Sequence, residues 1–132
     1  MRALGYAVAF GAVVMMTNAT PAPPEVTGQW GGPGARLTLD ASGGRIEYEC
    51  AAGTVDAPVR LDAQGRFSVD GKHEEYTTGP TPAERAPATR AARYEGRVDG
   101  DQMALTVRIA GDKSLRAFNL VHGQRIKLIR CL

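Results

Sequence analysis

From residue 28 onward, apolar and polar residues alternate in short runs cut by glycine and aspartate. Between Ala35 and Asp40, Leu37 and Leu39 fall on one face, with Arg36, Thr38 and Asp40 on the other. Between Arg45 and Cys50, Ile46, Tyr48 and Cys50 oppose Arg45, Glu47 and Glu49. Side chains of an extended chain point to alternate faces, so a period of two predicts strands with one wet and one buried side. The pattern returns at Val55, Ala57, Val59 and Leu61, at Phe67 and Val69, and at Tyr94, Gly96 and Val98. It is clearest where Met103, Leu105, Val107 and Ile109 oppose Gln102, Ala104, Thr106 and Arg108. Two more strands are expected, at Leu115 to Val121 and Arg125 to Cys131. In the second, a parity change between Leu128 and Ile129 predicts a bulge or burial on both sides.

Ser42-Gly43-Gly44, Ala63-Gln64-Gly65, Asp99-Gly100, Gly111-Asp112 and His122-Gly123 punctuate these runs at hairpin spacing. Asp99-Gly100 predicts a type I′ turn, whose two central residues both need positive φ. No amphipathic helix separates the strands, which excludes nucleotide-binding α/β folds built on helical crossovers. The fold class is therefore all-β: an antiparallel meander of about eight strands, closed into a small up-and-down barrel. Sequential hairpins favour the barrel over a two-sheet sandwich, and closure removes exposed edges. Residues 77–89 contain three prolines and no large apolar residue, and predict a long loop.

Ahead of the barrel, Met1-Arg2 gives a positive start, Ala3 to Met16 is uncharged and mostly apolar, and Thr17-Asn18-Ala19 has small residues at its first and third positions. This layout predicts a signal peptide over 1–19, too short to span a bilayer, and export to the periplasm or beyond. No cysteine directly follows it to carry a lipid, so the mature chain is expected to be soluble rather than anchored, with no membrane span. Residues 20–27 form a proline-rich extended leader, and 28–132 a single barrel domain.

Sixteen Lys and Arg against 14 Asp and Glu give a formal charge of +2, with both signs scattered. A nucleic-acid partner is thus not expected. Export changes the reading of the two cysteines: in an oxidising compartment, Cys50 and Cys131 predict one disulfide. Closing most of the chain into one loop is worth roughly 4 kcal/mol on chain-entropy grounds. Neither a C-x-x-C spacing nor a Cys/His cluster supports a redox or metal role.

Gly28-Gln29-Trp30 resembles the G-x-W start of lipocalins and, more loosely, of avidin-like barrels. The resemblance implies that Trp30 closes one barrel end under an arginine from the last strand, Arg125 or Arg130. It covers three residues and a strand count; length, the Pro-rich insertion and the lack of a terminal helix depart from the lipocalin pattern. Ile46-Glu47-Tyr48-Glu49-Cys50 and Arg130-Cys131-Leu132 resemble segments of small secreted bacterial barrels of unassigned function. A Gly-x-Trp in a small disulfide-bearing barrel also resembles bacterial periplasmic inhibitors of secreted metalloproteases. That resemblance implies an N-terminal segment, here Thr20 to Val26, entering a protease cleft.

An eight-stranded barrel either holds one small molecule or is filled by its own side chains. Trp30, Tyr48, Phe67, Tyr94 and Phe118 are the candidate ligand-lining residues; with aromatics at 6%, they are also about enough to plug the interior. Catalysis has little to stand on. His73-Glu74-Glu75 places only His73 and Glu75 on one face, too few for a metal site, and reads as a solvated strand end. His122 falls in a turn, Glu47 and Glu49 read as a salt-bridged surface with Arg45, and no nucleophile elbow or phosphate loop is present. The expectation is an exported, non-enzymatic binding module, without cofactor or metal, for a small, largely apolar ligand. The alternatives are a protein-binding module such as an inhibitor of a secreted protease, or a structural envelope protein.

Overall fold

The structure, a computed structural model, describes residues 24–75 and 89–128 and, near the N-terminus, 5, 7 and 9–13. The rest of the expected signal peptide, residues 20–23 of the leader, 76–88 and 129–132, including Cys131 and Arg130, lie outside the described residues. Eight strands follow in order: β1 (Gly28–Gly32), β2 (Ala35–Asp40), β3 (Gly43–Tyr48), β4 (Ala51–Val55), β5 (Arg66–Glu75), β6 (Thr89–Asp99), β7 (Gln102–Ile109) and β8 (Arg116–His122). Each pairs antiparallel with the next, and β8 returns to β1, closing the barrel.

The alternation read from the sequence sets which side chains point inward. In β2 and β7 every second residue is buried, bringing Leu37, Leu39, Met103, Leu105, Val107 and Ile109 into the core. On the outer face Arg36 pairs with Glu47 across β2 and β3, and Arg93 reaches Asp70 at 3.3 Å across β5 and β6. Such exposed pairs are worth about 0–1 kcal/mol each, so the interior carries the stability.

Several expectations need correction. β4 stops at Val55, and the chain bends away, yet Val59 is still buried. The reason lies in the second half of the leader. The Val26 amide donates to the Val59 carbonyl at 2.8 Å and the Leu61 amide to the Pro24 carbonyl at 3.1 Å. Val26 and Val59 are both buried, so residues 24–27 pack against the barrel. The β6–β7 hairpin pairs Asp99 with Gln102, centring the turn on Gly100-Asp101 rather than Asp99-Gly100. Only Gly100 has positive φ, 58°, so the two positive values of a type I′ turn are not met.

Arg125 to Leu128 forms no strand. Beyond β8 the Gly123 amide donates to the Gln29 carbonyl at 2.7 Å, and Gln124 and Ile126 lie against Gly31 on the outside of β1. The parity change at Leu128 and Ile129 falls at the edge of the described residues. Cys50 sits in the two-residue β3–β4 turn at φ 68°, the left-handed region that a residue with a Cβ seldom adopts. No free cysteine is found among the described residues.

Candidate functional site

The five aromatic candidates do not form one pocket. Trp30 is buried where β1 meets β8; its indole N–H donates to the Thr27 carbonyl at 3.1 Å. The ring edge-on to it is His122, at 4.8 Å between centroids; Arg125 is exposed past the turn, and Arg130 lies outside the described residues. Strand pairing explains this, because Trp30 and His122 are register partners.

Phe67 and Tyr94 serve as core. Each ring lies on an inward-facing glycine: a Cβ at Gly96 would come within 2.6 Å of Phe67 Cζ, and one at Gly71 within 2.6 Å of Tyr94 Cε2. Phe67 also lines a surface groove of about 500 Å³ with Arg60, Leu61 and Arg66. The Tyr94 hydroxyl donates to the Lys72 carbonyl at 2.9 Å, and burial pushes its pKa up to about 12.

Tyr48 and Phe118 do come together, at the other end of the barrel from Trp30. Tyr48 ends β3 and Phe118 is near the start of β8; their rings stack at 5.3 Å and 26°. Between β4 and β6, His73 enters the same group, with its ring centroid 5.9 Å from that of Tyr48. Arg116, two residues before Phe118 on the same strand face, places its guanidinium carbon 5.9 Å above the Tyr48 ring. At the rim, Arg90 pairs with Glu75 at 3.4 Å, and Glu75 Oε1 lies 3.6 Å from His73 Nε2.

His73 is the residue that sequence reasoning misplaced. Instead of a solvated strand end, it is fully buried, at 0% exposure. The signal was available: Phe67 and Val69 set the inward parity of β5, and continuing it through Gly71 leads to His73 and then to Glu75 at the rim. The charged residues around it masked that parity. His73 and Glu75 do share a face, but no group of three metal-ligating side chains occurs among the described residues.

The polar chemistry of this end is unusual. Tyr48 Oη and both ring nitrogens of His73 are buried with no hydrogen-bond partner. Each such atom costs roughly 1–3 kcal/mol when desolvated and unpaired. Burial, then the Arg116 charge, holds the His73 pKa below its ordinary value, against the pull of Glu75; Arg90 adds to the lowering. Burial, ahead of the neighbouring Tyr94 phenol, raises the Tyr48 pKa far above its usual range. Near neutral pH, then, the site presents a neutral imidazole and a phenol that keeps its proton, beside an aromatic pair. Elsewhere the expected surface chemistry holds for Glu47, which pairs with Arg36 and lies 3.8 Å from Arg45. Glu49 sits in the turn with Cys50, apart from that strand face. Compared with protein-family models, curated proteins and solved structures, the chain gives no match.

Proposed function

We propose that the protein is an exported, non-enzymatic binding barrel that takes a small, largely apolar ligand at the end formed by Tyr48, His73 and Phe118. The observation that carries the reading is a set of buried polar atoms without a hydrogen bond of normal geometry, Tyr48 Oη beside the Tyr94 phenol and His73 Nδ1 and Nε2 with Glu75 Oε1 3.6 Å from Nε2, against a stacked aromatic pair. A fold gains nothing from desolvating three polar atoms, whereas a ligand supplying their partners gains about 0.5–1.5 kcal/mol per hydrogen bond. Apolar walls with a few convergent polar groups are the usual make-up of a small-molecule site. Trp30, Phe67 and Tyr94 drop out of the ligand set, since their rings plug or fill the barrel.

Export rests on the signal-like residues 1–19, and a Cys50 to Cys131 disulfide belongs to the same reading. Its support is the pair of cysteines in a chain read as exported to an oxidising compartment. The protease-inhibitor alternative weighs less. Val26 is spent as a core residue and Pro24 is bonded to Leu61, so the described part of that segment packs on the barrel.

Native mass spectrometry of protein from its own envelope, with thermal shifts against lipids and aromatics, tests the reading. A bound species or a stabilising compound is expected, with the shift lost in Tyr48→Ala and Phe118→Ala proteins that remain folded. A ligand-free protein that no compound stabilises would overturn it.

A further inference from the structure

Resting on that reading, we infer that the ligand is a singly charged acid: a carboxylate on a small apolar body, with Arg116 as its charge partner. Among the described residues, the inward-facing charges at this end are Arg116, Arg90 and Glu75. Glu75 is engaged by Arg90, whereas Arg116 makes no ion pair among the described residues and rests on the Tyr48 ring instead. Among the described residues, one positive charge is thus left beside the aromatic pair, and a guanidinium presents its N–H groups in a fork matched to a carboxylate.

The neighbouring groups fit the same ligand. Tyr48 Oη, protonated across the physiological range, offers an O–H to an acceptor, and a neutral His73 has one N–H to donate. A neutral ligand would leave the partly buried Arg116 charge unanswered, while a dianion would exceed it. The stacked rings of Tyr48 and Phe118 supply an apolar face for the body of the acid, so a bare inorganic anion would forfeit half of the site.

Paired probes separate charge from shape. Benzoate and hexanoate would be titrated against benzamide and hexanamide, by calorimetry and by NMR of the Tyr48, His73 and Phe118 side chains, with inorganic phosphate as a further arm. The acids are expected to bind about tenfold or more tightly than the amides. Arg116→Gln should weaken the acids by about tenfold to a hundredfold and leave the amides unchanged, as expected for a hydrogen bond to a charged group. Arg116→Lys should restore part of the loss, and Tyr48→Phe should weaken the acids less than Arg116→Gln does. Equal binding of acids and amides, untouched by Arg116→Gln, would overturn the acid assignment while leaving a binding barrel intact. Phosphate binding as tightly as benzoate would also overturn it, because the aromatic wall would then contribute nothing. Failure of every probe to move these side chains would count against the binding reading itself.

Discussion

A buried histidine with both ring nitrogens unpaired links the fold to pH. Because burial and Arg116 hold the folded-state pKa of His73 below 6.5, the unfolded chain binds the proton more tightly. Stability should then fall as pH drops from about 6.5 toward the folded-state value, and flatten below it. Tyr48, Glu75, Arg90 and Arg116 surround this imidazole, so the Glu75 to Arg90 pair must be kept intact in any test. His73→Phe fills a similar volume without a polar atom. Its urea midpoint at pH 7 should equal or exceed that of the parent, since exchanging unpaired polar atoms for apolar ones is neutral or better. Between pH 7 and pH 5 the parent should lose stability more steeply than the variant, and parallel slopes would show that His73 does not carry the effect. Of the residues grouped at this end, the sequence singled out Tyr48 and Phe118 and passed over His73 and Arg116. Aromatics advertise themselves, whereas a charged residue at a strand end declares its side only once register is fixed.

Strand alternation made the barrel readable because period two is a local property: Leu37, Leu39 and the β7 series needed no knowledge of their neighbours. What local pattern could not supply was the fit between strands. Gly53, Gly71 and Gly96 interrupt apolar faces and look like weaknesses of β4, β5 and β6. In the barrel they make room for Tyr94 of β6, over Gly53 and Gly71, and for Phe67 of β5, over Gly96. At Gly53 an added Cβ would run into Tyr94 Oη, itself held by the Lys72 carbonyl, which lies 2.7 Å from the same position. Gly53→Ala should therefore cost about 1–3 kcal/mol, the usual range for overpacking a filled core. In a Tyr94→Phe background the obstructing oxygen is gone, and the same substitution should cost measurably less. Chemical denaturation of the four proteins gives the coupling; strictly additive effects would mean that the Lys72 backbone, rather than the tyrosine, sets the limit. The irregular stretch after β4 follows the same rule. Val59 kept its apolar side because Val26 was there to cover it, a contact between segments that no window of sequence contains.

Closure is the weak point of the whole barrel. β8 meets β1 through only two residue pairs, Trp30 with His122 and Gly31 with Val121, where β5 and β6 share a long ladder from Arg66–Arg97 to Glu74–Thr89. The segment after β8 compensates by folding back over the seam: Gly123 bonds to Gln29, and Ile126 Cγ2 lies 3.6 Å from the Cβ position of Gly31. Only glycine permits that approach, because any Cβ at residue 31 would meet the Gln124 carbonyl. A clasp of this kind is held at one end by its own hydrogen bonds, and the proposed bond from Cys131 to Cys50 would fasten the other end to the β3–β4 turn. Locking it should therefore protect the seam more than the rest of the sheet. Reduction, or Cys50→Ser with Cys131→Ser, should lower stability by about 2–4 kcal/mol. It should also speed amide exchange in β1 and β8 ahead of β5 and β6. Alkylation with mass analysis before reduction checks the premise, and two modified thiols at that stage would remove the bond from the account. Gly31→Val provides an independent route to the same state: it should open the seam with the cysteines untouched, and exchange confined to β1 and β8 would show that the clasp, not the bond alone, closes the barrel.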